Sequence, residues 1–201
     1  MIRFKKATQH ALSLVFLLAL LSFTNTLNVT ESKYSSRQVA ISVTGTSTMH
    51  DWEIKSDKGI FNAQFNVDNA GAILGVSTLS FSVESESLKS GNKMMDNNTF
   101  KALKTGTAKN VSFVLSSATV SKVNASTYQI NANGKLSIAG TTKETAVTAL
   151  AKYNAADKSY AITGSKKMKM TEYNVKPPTV MMGAIKTGDE ININFNATIV
   201  Q

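Results

Sequence analysis

Apolar and polar side chains change places at almost every step along most of this chain, and that period of two constrains the fold more than any other feature. Strand side chains alternate between faces, so a run of this kind is a strand with one dry and one wet side. Glu190 to Val200 shows it best: Ile191, Ile193, Phe195, Ala197 and Ile199 share one face, and Asn192, Asn194, Asn196 and Thr198 the other. Val39, Ile41 and Val43 open the series, and Phe61, Ala63, Phe65 and Val67 follow. Ile73, Leu79, Phe81 and Val83 share a parity, with Gly75 and Ser77 between them. Val111, Phe113 and Leu115 make a short face, and Tyr128, Ile130, Ala132, Leu136 and Ile138 a long one. Thr145, Val147, Ala149 and Tyr153 come next, then Tyr160, Ile162, Met168 and Met170. Turn-forming clusters separate the runs, among them Asp68-Asn69-Ala70-Gly71, Ala139-Gly140 and Thr187-Gly188-Asp189.

The pattern describes an all-β domain of about eight strands. A sandwich and a closed barrel both satisfy it, and the length of the runs favours tilted barrel strands. Gly75, Ser77, Ala132, Gly134 and Gly164 lie on the apolar parity. They either leave volume for one small ligand or mark bulges that curve the sheet. Ser90 to Thr105 breaks the alternation and reads as a short helix at one end, with Asp96 as N-cap and Phe100 and Leu103 on one face. Such a helix serves as a lid or as a plug of the core.

Arg3, Lys5 and Lys6 precede a 13-residue, largely apolar run, Ala11 to Phe23. Spanning a bilayer takes about 20 residues, so residues 1–27 read as a signal peptide and 28–201 as the mature domain, periplasmic or secreted. Without Arg3, Lys5 and Lys6 the 22 basic residues fall to 19 against 13 acidic ones, a formal +6. That balance suits transient contact with anionic membrane surfaces; the charges do not cluster as nucleic-acid binding requires. The chain has no Cys and only His10 and His50, which removes disulfides, thiol chemistry and multi-His metal sites. No metal, cofactor or catalytic residue is assigned, and the oligomeric state stays open.

Gly45 to Trp52, GTSTMHDW, holds the only Trp and the only His beyond the first ten residues. His50-Asp51 invites an acid–base reading. Neighbours on a strand point to opposite faces, however, and no G-x-S-x-G elbow is present. His50 and Trp52 are therefore expected at a barrel end or mouth. Lys166 shares the inward parity of Ile162 and Met168. It meets an anionic head group there, or a break in register turns it to solvent.

GTSTMHDW, MMDNNTFKALKT followed by NVSFVL, GKLSIAGTTKETAVTA (Gly134 to Ala149) and Lys167 to Phe195 resemble, in order and spacing, the YceI-like family of secreted barrels that bind isoprenoid or fatty lipids. The resemblance spans roughly Val39 to Val200. It implies an extended lipocalin-like antiparallel barrel around a lipid-filled channel, acting in transport or storage without catalysis. Two departures stand out. Lys93-Met94-Met95-Asp96 replaces an Arg-Asp pair and a His common before the helix, and Met170 stands where many members carry an Arg. Polar contacts assigned to those residues do not carry over, and the methionines make the channel more adaptable. Phe65, Phe81, Phe113, Ile162, Met168, Met170, Ile193 and Phe195 are expected to line the channel; Phe100, Leu103, Met181 and Met182 are expected to cover its opening. A hydrolase or isomerase using His50, or a surface module with a filled core, are the alternatives.

Overall fold

A computed structural model describes residues 28–201, so the signal peptide read at 1–27 lies outside the described residues. Ten strands and one helix follow: β1 (Thr30–Ser47), β2 (Trp52–Ser56), β3 (Gly59–Val67), β4 (Ile73–Glu84), α1 (Lys93–Leu103), β5 (Asn110–Lys122), β6 (Thr127–Ile138), β7 (Thr141–Asn154), β8 (Ser159–Lys169), β9 (Thr179–Val180) and β10 (Ile185–Val200). β2 and β3 share one register on the same side of β1, with Ser56 opposite Ile41 and Asn62 opposite Ser35. They act as a single stave interrupted at Asp57-Lys58. Each stave pairs antiparallel with the next, and β10 returns to pair with β1. The result is a closed, eight-stave antiparallel barrel with one short helix. Every stave pairs with a neighbour on both sides, although β4–β5 and β7–β8 are joined over only part of their lengths.

The alternation decides which residues point inward. Tyr128, Ile130, Ala132, Leu136 and Ile138 are all buried along β6, while Asn133 and Lys135 are exposed. Bulges correct the pattern in two places. On β4 the pairing slips at Leu74 and again at Ser77, so Gly75 faces Asn66 across the outer surface and Val76 turns inward. Gly75 and Ser77 therefore leave no space in the lumen. On β5 a slip at Ser116 carries the inward face on to Ala118 and Val120, beyond the Val111–Leu115 run.

The glycines of the inner wall are seats for rings. A Cβ built on Gly164 would lie 2.3 Å from the Phe195 ring, and one on Gly134 2.6 Å from Phe113. These positions give the wall its curvature and the aromatic side chains their room, so glycine here carries a ring rather than an empty space.

Aromatic side chains close one end of the barrel. Tyr34, Phe65 and Tyr160 pack with ring centroids 5.2–5.6 Å apart, and Tyr153 joins them at 5.0 Å from Tyr160. Tyr160 donates to the Gly71 carbonyl at 2.8 Å, satisfying its hydroxyl inside this cluster. Burial pushes its phenol well above the ordinary tyrosine range and raises that of Tyr34 as well. Phe65 is fully buried here, in the floor of the barrel rather than in a channel wall.

α1 sits at the opposite end. Its N-cap is Asn92, not Asp96: the Asn92 side chain accepts from the Met94 and Met95 amides at 3.0 and 3.1 Å. Asp96 lies in the first turn and reaches back to accept from the Ser90 amide and hydroxyl, both at 2.6 Å. Those bonds hold its carboxyl below the usual range.

Candidate ligand-binding cavity

The inward faces of the staves do not fill the barrel. Above the aromatic floor lies a cavity of about 750 Å³, within the ~300–1,000 Å³ of small-molecule sites. Its walls are mostly apolar. Ile130, Ala132 and Leu136 contribute from β6, Val147 and Ala149 from β7, and Ile191, Ile193 and Phe195 from β10. The mouth faces α1. Met95, Ala102 and Leu103 border it on one side, and Met170, Tyr173, Val175 and Val180 on the other. Three hydrogen bonds fix that second border. Tyr173 OH bonds Thr145 Oγ1 on β7 at 2.5 Å. Asp189 accepts from the Thr171 amide and hydroxyl at 2.9 and 2.6 Å, which keeps its carboxyl below the usual range.

Of the residues expected in the channel, Phe81, Leu103, Phe113, Ile162, Met168, Met170, Ile193 and Phe195 all line this one cavity. Four lie elsewhere. Phe65 belongs to the floor, where Phe61, four residues earlier on the same face of β3, lines the wall. Phe100 is half-buried but turned from the cavity. It lies five residues from Met95, about 140° around the helix. Met181 and Met182 do not cover the opening: they are 74% and 110% exposed. Met181, Met182 and Gly183 take successive left-handed backbone angles, φ 52°, 54° and 91°, and this turn throws both thioethers outward. Val180 and Ile185, paired across β9 and β10, face the mouth instead.

His50, Trp52 and Lys166 all line the mouth end of the cavity. The Trp52 ring lies over Gly45, its partner on β1, where an added Cβ would meet it at 2.3 Å. Its Nε1–H donates to the Thr46 carbonyl at 2.9 Å. His50 Nδ1 faces the Asp51 backbone carbonyl at 2.6 Å rather than the Asp51 carboxylate. The nearby Ser47 hydroxyl donates to the His50 carbonyl at 2.7 Å, so it is turned away from the imidazole. No hydroxyl–imidazole–carboxylate relay forms here, and among the described residues no cluster of three metal-ligating side chains exists. Lys166 keeps its inward register, opposite Ile193, without a break.

Sequence reasoning did not assign Phe61, Leu79, Val83, Val111 or Tyr173 to this cavity, although all line it. The first four sit on faces already legible from period two. What the alternation lacks is the height of each residue above the floor, and Tyr173 belongs to a 3-10 turn that carries no periodic signal.

A closed antiparallel barrel around a mostly apolar cavity is an architecture suited to binding an apolar guest. The YceI-like domain matches residues 33–199, and the chain belongs to this family. Solved structures share the fold. BcnA from Burkholderia cenocepacia superposes with TM-score 0.60 at 22% identity, covering 81% of this chain and 96% of that one. A polyisoprenoid binding domain from Saccharophagus degradans, implicated in plant cell wall breakdown, gives 0.59 at 10% identity, covering 83% and 97%. A Campylobacter jejuni YceI protein gives 0.52 at 18% identity, covering 70% and 82%. No curated protein matches the sequence.

Proposed function

We propose that this protein is an exported binding protein that holds the chain of an isoprenoid or fatty lipid inside its barrel, for transport or storage, without catalysis. One observation carries the reading: an apolar cavity of about 750 Å³ above an aromatic floor. Each methylene moved from water into such a lumen contributes about 0.8 kcal/mol, so ten contribute about 8 kcal/mol before ordering costs. Chain length then controls affinity more than the head group does. The basic n-region and apolar run of residues 1–27 support export to the periplasm or outside the cell. Extraction of the purified protein with organic solvent, followed by mass spectrometry, is expected to release a stoichiometric acyl or prenyl species. An empty barrel whose affinity for fatty acids does not change with chain length would overturn the proposal.

Loading and release are proposed to occur against a membrane surface. Met49, Met94, Met181 and Met182 are all well exposed at the mouth end, amid an overall basic chain. Flotation with anionic vesicles is expected to carry the protein, and Met181→Ser/Met182→Ser to reduce it. Equal flotation of the variant would remove the membrane step while leaving the binding proposal standing.

A further inference from the structure

Lys166 is an unusual side chain to find on this wall. It occupies β8 between Gly164 and Met168, with Ile193 as its partner on β10, and the inward neighbours are apolar. It is half-buried and lines the cavity. Among the described residues the only ion pairs are Arg37–Asp157 and Lys55–Glu53, so no carboxylate lies within 4.0 Å of its ammonium. The carboxylates that border the cavity, Asp51 and Glu53, are exposed on the rim, and Glu53 is already paired with Lys55 at 2.8 Å.

An unpaired ammonium on an apolar wall is costly unless it reaches water or an anion. The four-carbon stem of lysine can run along the wall while Nζ turns toward the mouth. Below it the Phe195 ring lies over Gly164 and continues the dry wall toward the floor. The lumen therefore changes character along its axis, from hydrocarbon-like depth to the half-buried Lys166 ammonium near the opening, with the exposed Lys169 beyond it on the rim.

We infer that Lys166 is the head-group anchor of the cavity, selecting long-chain amphiphiles with an anionic oxygen head, a carboxylate or a phosphate, that enter tail first. This rests on the binding function proposed above and deepens it. The tail occupies the apolar depth, and the head comes to rest where the wall offers the half-buried Lys166 ammonium. A charge-assisted hydrogen bond formed there, partly out of water, discriminates an acid from its neutral analogue by about tenfold or more.

The test is competition binding with palmitic acid, hexadecanol and methyl palmitate, against the wild-type chain, Lys166→Met and Lys166→Arg. The wild type is expected to favour the acid over both neutral ligands by about tenfold or more. Lys166→Met should bring the acid down to the level of the alcohol, and Lys166→Arg should keep the preference. Hexadecyl phosphate then separates the two head groups: tighter binding than the acid assigns phosphate, weaker binding assigns carboxylate. Equal affinity for acid and alcohol in the wild type overturns the anchor, as does a preference that survives Lys166→Met. Failure of every chain to bind overturns the lipid-binding proposal as a whole. Because the first comparison uses the wild type alone, a variant that misfolds does not decide the outcome.

Discussion

At the scale of single residues, the pair Gly45 and Trp52 shows how position, rather than composition, sets a requirement. Trp52 is half-buried, so Trp52→Ala is expected to cost about 2–3 kcal/mol in urea denaturation, less than the ~3–5 kcal/mol of a fully enclosed tryptophan. Gly45→Ala places a methyl where the ring lies and is expected to cost about 1–3 kcal/mol. The two losses should not add: in the Trp52→Ala background, Gly45→Ala should become nearly silent. Full additivity would mean that the ring does not depend on the glycine. His50, by contrast, is exposed and bonded to its neighbour's backbone. His50→Ala is expected to leave ligand affinity within about twofold of wild type, and any turnover abolished by that change would favour an enzyme.

At the scale of elements, α1 hangs on its first turn, since it buries no residue fully. Asn92→Ala should weaken the protein by about 1 kcal/mol and Asn92→Asp should not, because aspartate caps the same amides. Asp96, Asp157 and Asp189 are all held below the usual carboxylate range by serine or threonine donors, with Arg37 assisting at Asp157. A carboxyl depressed in the folded state contributes stability that is fully present above its unfolded pKa, about 3.9, and is lost as pH falls below it. The urea midpoint should therefore hold from pH 7 down to about 5 and decline below about 4. Asp96→Asn should flatten part of that decline. The staves themselves were legible, because period two is a property of the strand alone. The slips at Leu74, Ser77 and Ser116 were not, since a bulge depends on the neighbouring strand. Cavity residues suffered the same limit: Phe61 and Phe65 look alike in sequence and differ only in height within the barrel. The helix was found near its true place, but two residues compete there for the cap, and the side-chain geometry chose Asn92.

At the scale of the whole molecule, stability and guest are coupled. A ligand that binds only the closed barrel raises the unfolding midpoint as its affinity rises, so longer chains should protect more. Thermal unfolding with a C8 to C18 fatty-acid series checks this, and equal shifts across the series would contradict it. The seam between β1 and β10 has a consequence in time as well as space. Ser35 meets Val200 and Gly45 meets Ile191, so the ring is joined by the first and last strands to be made. A ribosome that has finished β8 has produced two open borders and no barrel. Ala197→Pro, which strikes β10 between Val39 and Ile162, is expected to abolish cooperative unfolding rather than merely lower its midpoint. Pairings this distant in sequence also predict refolding in milliseconds to seconds rather than microseconds. For a chain proposed to leave the cytoplasm, that delay is useful. The barrel cannot lock shut before its final strand is synthesised, and until then the chain stays pliable enough to be threaded.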